Sequence, residues 1–460
     1  MVDIRAGEDG RAYAVASGRA IVPWAMLGLL ALVTASVPAV AQHNWWESVP
    51  GFGSPSYTDP RAERSQRKTE EVDDLRTNAV PWRSDEMLMA LDDAIARYQK
   101  LVSIGGWPRI PDNRLMRPGD DDERVPILRR RLRISGDLAA STGYFEDYGF
   151  DQRLEDAVRK FQARNGLRVT GRADRPTIAA LNVSAQDRLE QLRLNRNRLA
   201  ELLRQPIEDR YILVNVPAFQ LEAVERFEVQ QRHRVIVGRT ERQTPEIRAT
   251  IKGLNFFPYW RVPDSVAQLD LIPRMMKEPD YLTKEKIRVF NGFNGPELDP
   301  TTIDWSTADA SKLKFKQDPG DQNALGLVRI DMPNEQTVYM HDTPMKNLFS
   351  QRGRAFSAGC VRVQNVFDLV DWIARHEIGW ETAGRAREVV DGGQALDLVL
   401  TRPIPVHFVY ITAWAEPDGT VHFRPDLYNR DGYVELAAGR ERDPNDPSEP
   451  PLPMVRALAP

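Results

Sequence analysis

One cysteine, Cys360, stands in a chain of 460 residues. No internal disulfide can form, so this thiol serves either packing or chemistry. Histidine is scarce as well, with six in all. One thiol and scattered imidazoles do not supply the ligand spacing of a zinc site, and neither a metal nor a cofactor is expected. Neither sign of charge dominates: 62 Lys and Arg against 66 Asp and Glu leave a net charge of −4. There is no basic stripe interleaved with aromatics, so nucleic acid is not an expected partner. After the first forty or so residues, no apolar run approaches the roughly 20 residues a spanning helix needs. What is present is ordinary for a globular protein, 42% hydrophobic and 28% charged residues. The length suggests about three domains.

The start of the chain has its own pattern. Arg5, Arg11 and Arg19 lead to an apolar run from Ile21 to Val33, and Ala39-Val40-Ala41 is a small-x-small cleavage signal. Residues 1–41 therefore read as a secretory signal peptide cleaved before Gln42. An uncleaved anchor is the competing reading, but Pro23 and Pro38 bracket the run and leave it short for a span. Residues 42–83, rich in Ser, Pro, Gly and charge, read as a flexible leader.

Further along, the fold class is expected to be α+β with several domains. Ser84 is placed to cap a helix through Met87, Leu91, Ile95 and Leu101, which Gly105-Gly106 ends, giving a helical scaffold over 84–124. Residues 125–183 form a compact unit of three helices: Val125, Leu128 and Leu132 in the first, Leu154, Val158 and Phe161 in the second, and a third opening at Arg175-Pro176. Asp120 to Glu123 and Arg129-Arg130-Arg131 read as solvated charge. A connector helix fills 184–207. A β-rich mixed-sheet domain spans about 208–437, opening on Tyr211 to Val216 and closing near His407 to Trp414. Inside it, 274–320 is irregular and is expected to be a lid-like insertion. A disordered tail is expected over 438–460.

The chemistry gathers around Ser357-Ala358-Gly359-Cys360-Val361-Arg362. Glycine before the cysteine permits a tight turn and close approach by a substrate. Val338-Tyr339-Met340-His341 alternates like a strand, which puts Tyr339 and His341 on one face. A cysteine with a separately placed histidine is the minimum apparatus of thiol nucleophilic catalysis. Gly359 and Cys360 can aim consecutive N–H groups at one point, as an oxyanion hole requires. A helix from Val366 would help the thiolate modestly if Cys360 lay near its start; ion pairing with a protonated His341 would help more. Lys346, Asn347, Gln351, Arg352 and Arg354 between the two suit an anionic substrate, or simply a solvated loop. His233, His376, His407 and His422 read as surface or sheet residues, with His376 the reserve base.

Two resemblances follow. Ala157 to Leu167, with Thr170-Gly171 after it, resembles the peptidoglycan-binding three-helix module. His341-Asp342-Thr343-Pro344 together with Ser357 to Arg362 resembles the YkuD-type L,D-transpeptidase catalytic domain, and the layout, with Asn323 to Gly326 and Trp260 to Pro263, its large YcbB-like periplasmic branch. The resemblance implies Cys360 as nucleophile, His341 as base, Gly359 and Cys360 as oxyanion donors, and Ser357, Arg362 and Tyr339 as support or substrate contacts. One position departs: the family commonly has histidine where Ala358 stands. The implied activity is cell-wall biogenesis in the periplasm. A thioester with a tetrapeptide stem would pass to an amine and cross-link stems between their third residues. Implied partners are peptidoglycan stem peptides and glycan, with an outer-membrane protein or lipoprotein as a possible acceptor. Carbapenem-type β-lactams are the implied covalent inhibitors. Protein anchoring and D-amino-acid exchange are alternative uses of the same chemistry. A non-catalytic wall-binding protein and a hydrolysing cysteine peptidase are the rivals. The three-helix module holds no nucleophile or base, so it is expected to be separable from catalysis.

Overall fold

In the computed structural model, residues 75–112, 114–139 and 148–432 are described. The signal peptide at 1–41, the leader up to residue 74 and the tail at 438–460 lie outside the described residues.

Helix α1 (Asp85–Ser103) starts at Ser84, whose Oγ accepts the Met87 N–H at 3.2 Å. It ends where Gly105 and Gly106 adopt φ of +91° and +75°. The last residues assigned to the leader are not loose. Trp82 and Arg83 are each 1% exposed. Trp82 packs edge-on to Trp414 with ring centroids 5.8 Å apart, and its N–H donates to Glu222. These partners lie far away in sequence, so no local pattern announces them.

Helices α2 (Val125–Ile134), α3 (Gln152–Arg164) and α4 (Arg175–Asn182) enclose a core of Leu128, Leu132, Leu154, Phe161, Ile178 and Leu181. Gln162, fully buried, clasps the unit: its Nε2 donates to Thr177 Oγ1 at 2.9 Å and Arg172 O at 2.8 Å. Its Oε1 accepts the N–H groups of Thr170 and Gly171. The arginine run departs from expectation. Arg130 is exposed, but Arg129 and Arg131 are buried, and Arg131 lies over the Trp107 ring at 3.6 Å. A guanidinium's planar face stacks on indole, so an arginine can sit where a charge run suggests solvent.

Helix α5 (Ala185–Leu203) is more than a connector. Its Leu192 and Leu199 share a core with α1 and the β-rich domain described next. Asn195 exchanges two hydrogen bonds of 2.8 Å with Thr412.

The β-rich domain is built on strands β1 (Arg210–Asn215), β2 (Gln220–Glu225), β3 (Glu228–Gly238) and β4 (Ile247–Phe256). An inserted unit follows, with β5 (Trp260–Arg261), β6 (Ile287–Asn291), β7 (Glu297–Leu298) and β8 (Leu313–Gln317). The chain then returns through β9 (Val328–Asp331), β10 (Met340–His341), β11 (Ala355–Ser357) and β12 (Val361–Val363), and through α6 (Val366–Ala374) and α7 (Arg385–Asp391), to β13 (Leu396–Val409). The hairpin β14 (Ala413–Ala415) and β15 (Val421–Phe423) completes it. The large sheet runs β11-β3-β12-β10-β9-β4-β13-β1-β2, and β3 also pairs with β2, so it closes on itself. Parallel pairs (β1 with β13, β10 with β12, β11 with β3) mix with antiparallel ones. Closure leaves few unpaired edges and holds short strands in place.

The insertion is not irregular. It begins at β5, earlier than expected, and forms its own sheet, β5-β8-β6-β7, with a core that includes Trp260, Leu271, Met275, Val289 and Phe315. Strands of two to five residues and helical turns of three to five are too short to register as periodicity.

The three-helix unit docks on the β-rich domain. Arg164 holds Asp137 at 2.6 and 2.5 Å and donates to Val421 O at 3.0 Å; Arg424 donates to Arg164 O at 2.9 Å, and Arg352 to Gly166 O. This seam ties the three-helix unit to the β-rich domain. Removing the charge at Arg164 takes both guanidinium hydrogen bonds from the buried Asp137, which keeps the Ser135 hydroxyl and the field of Arg131. We expect Arg164→Met to cost about 3 kcal/mol and to lower the calorimetric melting temperature. An unchanged melting temperature would show that the seam contributes nothing.

Candidate active site

Two short parallel strands bring the key residues together. Met340 pairs with Val361 and His341 with Arg362, and Val361 N–H donates to Tyr339 O at 3.0 Å. Side chains alternate along each strand. Tyr339 and His341 therefore share one face with Cys360 and Arg362 from the neighbouring strand. The Tyr339 and His341 rings meet edge to face, with centroids 5.7 Å apart. His341 is buried, while Cys360 is half-buried.

The turn before Cys360 is clamped by Ser357. Its Oγ accepts the Gly359 N–H at 3.1 Å and donates to Cys360 O at 2.5 Å. This changes the role of Gly359. Gly359 was expected as an oxyanion donor, but its N–H is engaged inside the turn. The Cys360 N–H makes no hydrogen bond among the described residues and is the remaining donor of the pair. Ser357 shapes the turn, with its hydroxyl occupied on both sides. Gly359 has φ of +122°, so glycine is the residue that fits there. Ala358 is exposed at the tip, so the missing imidazole would have faced solvent or substrate.

The loop after β3 supports the turn from behind. Thr244 Oγ1 donates to Gly359 O at 2.8 Å and accepts Gly238 N–H at 2.8 Å. Tyr428 Oη accepts Thr244 N–H at 3.2 Å and donates to Gly238 O at 2.6 Å. Sequence reasoning missed both residues, since a threonine and a tyrosine in loops carry no motif of their own.

His341 is oriented by its neighbour. Nδ1 lies 2.5 Å from Asp342 O, and a carbonyl only accepts, so Nδ1 carries the proton and Nε2 the lone pair. Asp342 is fixed in turn by Lys346 and by Leu327 N–H at 3.1 Å. A Cβ at Gly326 would stand 2.4 Å from Asp342 Oδ2, and Gly326 has φ of +61°. Asn323 to Gly326 is thus a tight turn that lets the backbone reach the His341 segment.

No direct hydrogen bond joins His341 to Cys360 among the described residues. Tyr339 lies against both. Burial pushes the Cys360 thiol up to about 11, opposed by the Tyr339 backbone N–H, Arg362, the Tyr339 hydroxyl and Arg329. Burial, with Arg362 and Lys346 adding repulsion, pulls His341 down to about 3, against the carbonyls of Asp342 and Leu325. Both shifts run against the expected thiolate–imidazolium pair, because both groups are desolvated and the nearby cations disfavour an imidazolium. The helix-dipole contribution fails as well: β12 separates Cys360 from α6, which starts at Val366.

The remaining histidines among the described residues lie elsewhere. His233 bonds Gln364 O and Gln231 Oε1, each at 2.9 Å; His407 sits against Glu208; His422 stacks on Trp414 at 4.9 Å. His376, the reserve base, contacts Glu225 on the surface. Among the described residues, no cluster of three or more His, Cys, Asp or Glu could hold a metal.

Comparison with known proteins adds to this geometry. Residues 209–393 match the family model of the YkuD L,D-transpeptidase catalytic domain. That stretch is similar to the catalytic domain of L,D-transpeptidases. Residues 121–181 match the model of a peptidoglycan binding domain. A Haemophilus influenzae protein assigned as an L,D-transpeptidase is 33% identical over 227 residues, covering 49% of this chain and 45% of that one. The chain thus spans less than half the length of that relative. Solved structures overlap weakly. The L,D-transpeptidase of Stackebrandtia nassauensis is 12% identical over 66% of this chain and 97% of its own, at a TM-score of 0.25. The Ldtfm–avibactam carbamoyl enzyme is 13% identical over 44% and 49%, at 0.21. Overlaps this low carry no argument about the site.

A neutral resting thiol labels slowly. Alkylation of Cys360 by iodoacetamide should keep rising with pH towards about 11. At pH 7 it should run about a hundredfold slower than for a thiol at the ordinary value of 9.0. A plateau near neutral pH would mean that a preformed thiolate exists.

Proposed function

We propose that the whole chain is an exported L,D-transpeptidase that cross-links peptidoglycan. The observation that supports this best is the strand register, which sets a half-buried Cys360 beside Tyr339, one pair from His341, within a stretch similar to the catalytic domain of L,D-transpeptidases. The peptidoglycan-binding domain supplies the wall as partner.

In this reading Cys360 Sγ attacks the carbonyl between the third residue and the terminal D-residue of a tetrapeptide stem. Because burial disfavours a preformed thiolate, the thiol loses its proton as attack proceeds, with His341 Nε2 as the general base and Tyr339 packed beside both groups. The Cys360 N–H faces the oxyanion. The tetrahedral species collapses, the C–N bond breaks, and the departing amine takes the proton from His341. The thioester is then attacked by a side-chain amine of another stem. The amine's proton passes to His341, the thiol leaves, and an amide links two third residues. The cations near the thiol, Arg362 and Arg329, suit the carboxylates of stem peptides. Export through residues 1–41 would deliver the enzyme to the periplasm. Carbapenem-type β-lactams would acylate the same thiol.

Incubation with disaccharide-tetrapeptide and mass analysis of the products tests this reading. A dimer that has lost one D-residue is the expected product; loss of that residue with uptake of water would instead identify a peptidase. Uptake of a free D-amino acid, or linkage to a protein lysine, would reveal another acceptor. Cys360→Ala should abolish every such product, and Cys360→Ser nearly so. His341→Ala should slow acylation about a hundredfold or more. Appreciable turnover by Cys360→Ala would sink the assignment.

A further inference from the structure

An acid in the inserted unit reaches the nucleophile turn. Asp270 lies in the π-helical turn Ala267–Leu271, a rare geometry that recurs at functional sites. Arg242 donates to its carboxylate at 2.5 and 3.1 Å, and Arg239 lies 3.9 Å from it. The three side chains are only 6%, 14% and 12% exposed, so salt and water screen them weakly.

Arg239 and Arg242 open and close one tight turn, with Arg242 N–H donating to Arg239 O at 3.0 Å. That turn wraps the back of the catalytic loop. Arg239 N–H donates to Ser357 O at 3.0 Å. The carbonyl oxygens of Gln243 and Arg242 stand 3.6 and 4.0 Å from where a Cβ at Gly359 would be. Thr244, two residues further on, holds Gly359 O. Through this chain of contacts the insertion is fastened to the Cys360 turn.

We propose that Asp270 is a positioning residue for the nucleophile: by gripping Arg239 and Arg242 it fixes the turn that backs Gly359 and Cys360, and it offsets the arginine charge beside the site. Asp270 touches neither Cys360 nor His341, so its effect passes through the two arginines. The charges involved come from every packed element. Cys360 is faced by Tyr339, Arg362 and Arg329; Arg362 is faced by Arg239; Arg239 by Arg242, Asp270 and Glu241; His341 by Arg362 and Lys346. Removing Asp270 adds net positive charge to this set, which favours a thiolate, while it loosens the turn, which hinders catalysis. The two effects have opposite signs, and a merely structural role would not produce both.

The test uses the full chain with Asp270→Asn, Asp270→Arg and the reversed pair Asp270→Arg with Arg242→Asp. Two readouts are taken: the pH midpoint of Cys360 alkylation by iodoacetamide, and kcat and KM for transfer with disaccharide-tetrapeptide. In Asp270→Asn the midpoint should move to lower pH, while kcat falls about tenfold and KM stays within about twofold. The reversed pair should bring both readouts back towards the parent protein, and Asp270→Arg alone should not. The transfer readout rests on the function proposed above, but the alkylation readout does not. If the parent protein transfers nothing, that function fails and the midpoints still decide the role of Asp270. An unchanged midpoint or an unchanged kcat in Asp270→Asn overturns the proposal. So does a reversed pair no better than Asp270→Arg. If circular dichroism shows every variant unfolded, the seam is a stability element and the positioning role is overturned as well.

Discussion

The pairing of β10 with β12 is the constraint on which the site depends. Each contributes two or three residues, too few to hold a register alone. They are held because both are interior strands of a closed sheet, β10 between β12 and β9, β12 between β10 and β3. A one-residue slip would turn Tyr339 and His341 to the opposite face from Cys360 and Arg362. The buried residues between them, Met340, Val361 and Val363, lock the alternation from the core side. Catalytic geometry and core packing are thus set by one register, and substitutions that disturb the core of this sheet act on the site as well.

A second layer of contacts fixes what the register leaves free. The strand fixes Val361, but Cys360 stands one residue outside it in a turn with a left-handed glycine. Ser357, Thr244 and Tyr428 supply hydroxyls that bind the backbone of that turn and of the loop behind it. The His341 side has a matching arrangement, in which Asp342 is bound by Lys346 and Leu327 while its own carbonyl orients the imidazole. Side-chain-to-backbone bonds of this kind position the reacting groups with little freedom, as acyl transfer requires.

Sequence reasoning reached the elements with a period and the residues with a motif. The three-helix unit was legible because Leu154, Val158 and Phe161 repeat at helical spacing around a core, and because Arg175-Pro176 marks a helix start. The strand carrying His341 was legible from alternation, and its shared face with Tyr339 is what the structure shows. Contacts between distant segments were not legible. Trp82 and Arg83 look like leader until Trp414 and Tyr211 are seen beside them. Arg131 looks solvated until Trp107 is seen beneath it. The insertion looks irregular because its strands are shorter than a period needs. The Gly359 donor looked available because glycine beside cysteine signals a turn, yet the sequence cannot say which hydroxyl closes it.

The electrostatics of the site follow from the same geometry. Arg362 is brought beside His341 by the register, and burial with repulsion from Arg239 lowers its own proton affinity to about 10. An imidazolium is disfavoured beside that guanidinium, while a thiolate is favoured by it and disfavoured by burial. The balance runs against a preformed thiolate–imidazolium pair. In the transfer proposed above, a ligand bearing carboxylates would offset the arginines and remove one obstacle to protonating His341, the state from which a leaving amine takes its proton. Proton movement at the site would then be coupled to the arrival of an anionic stem.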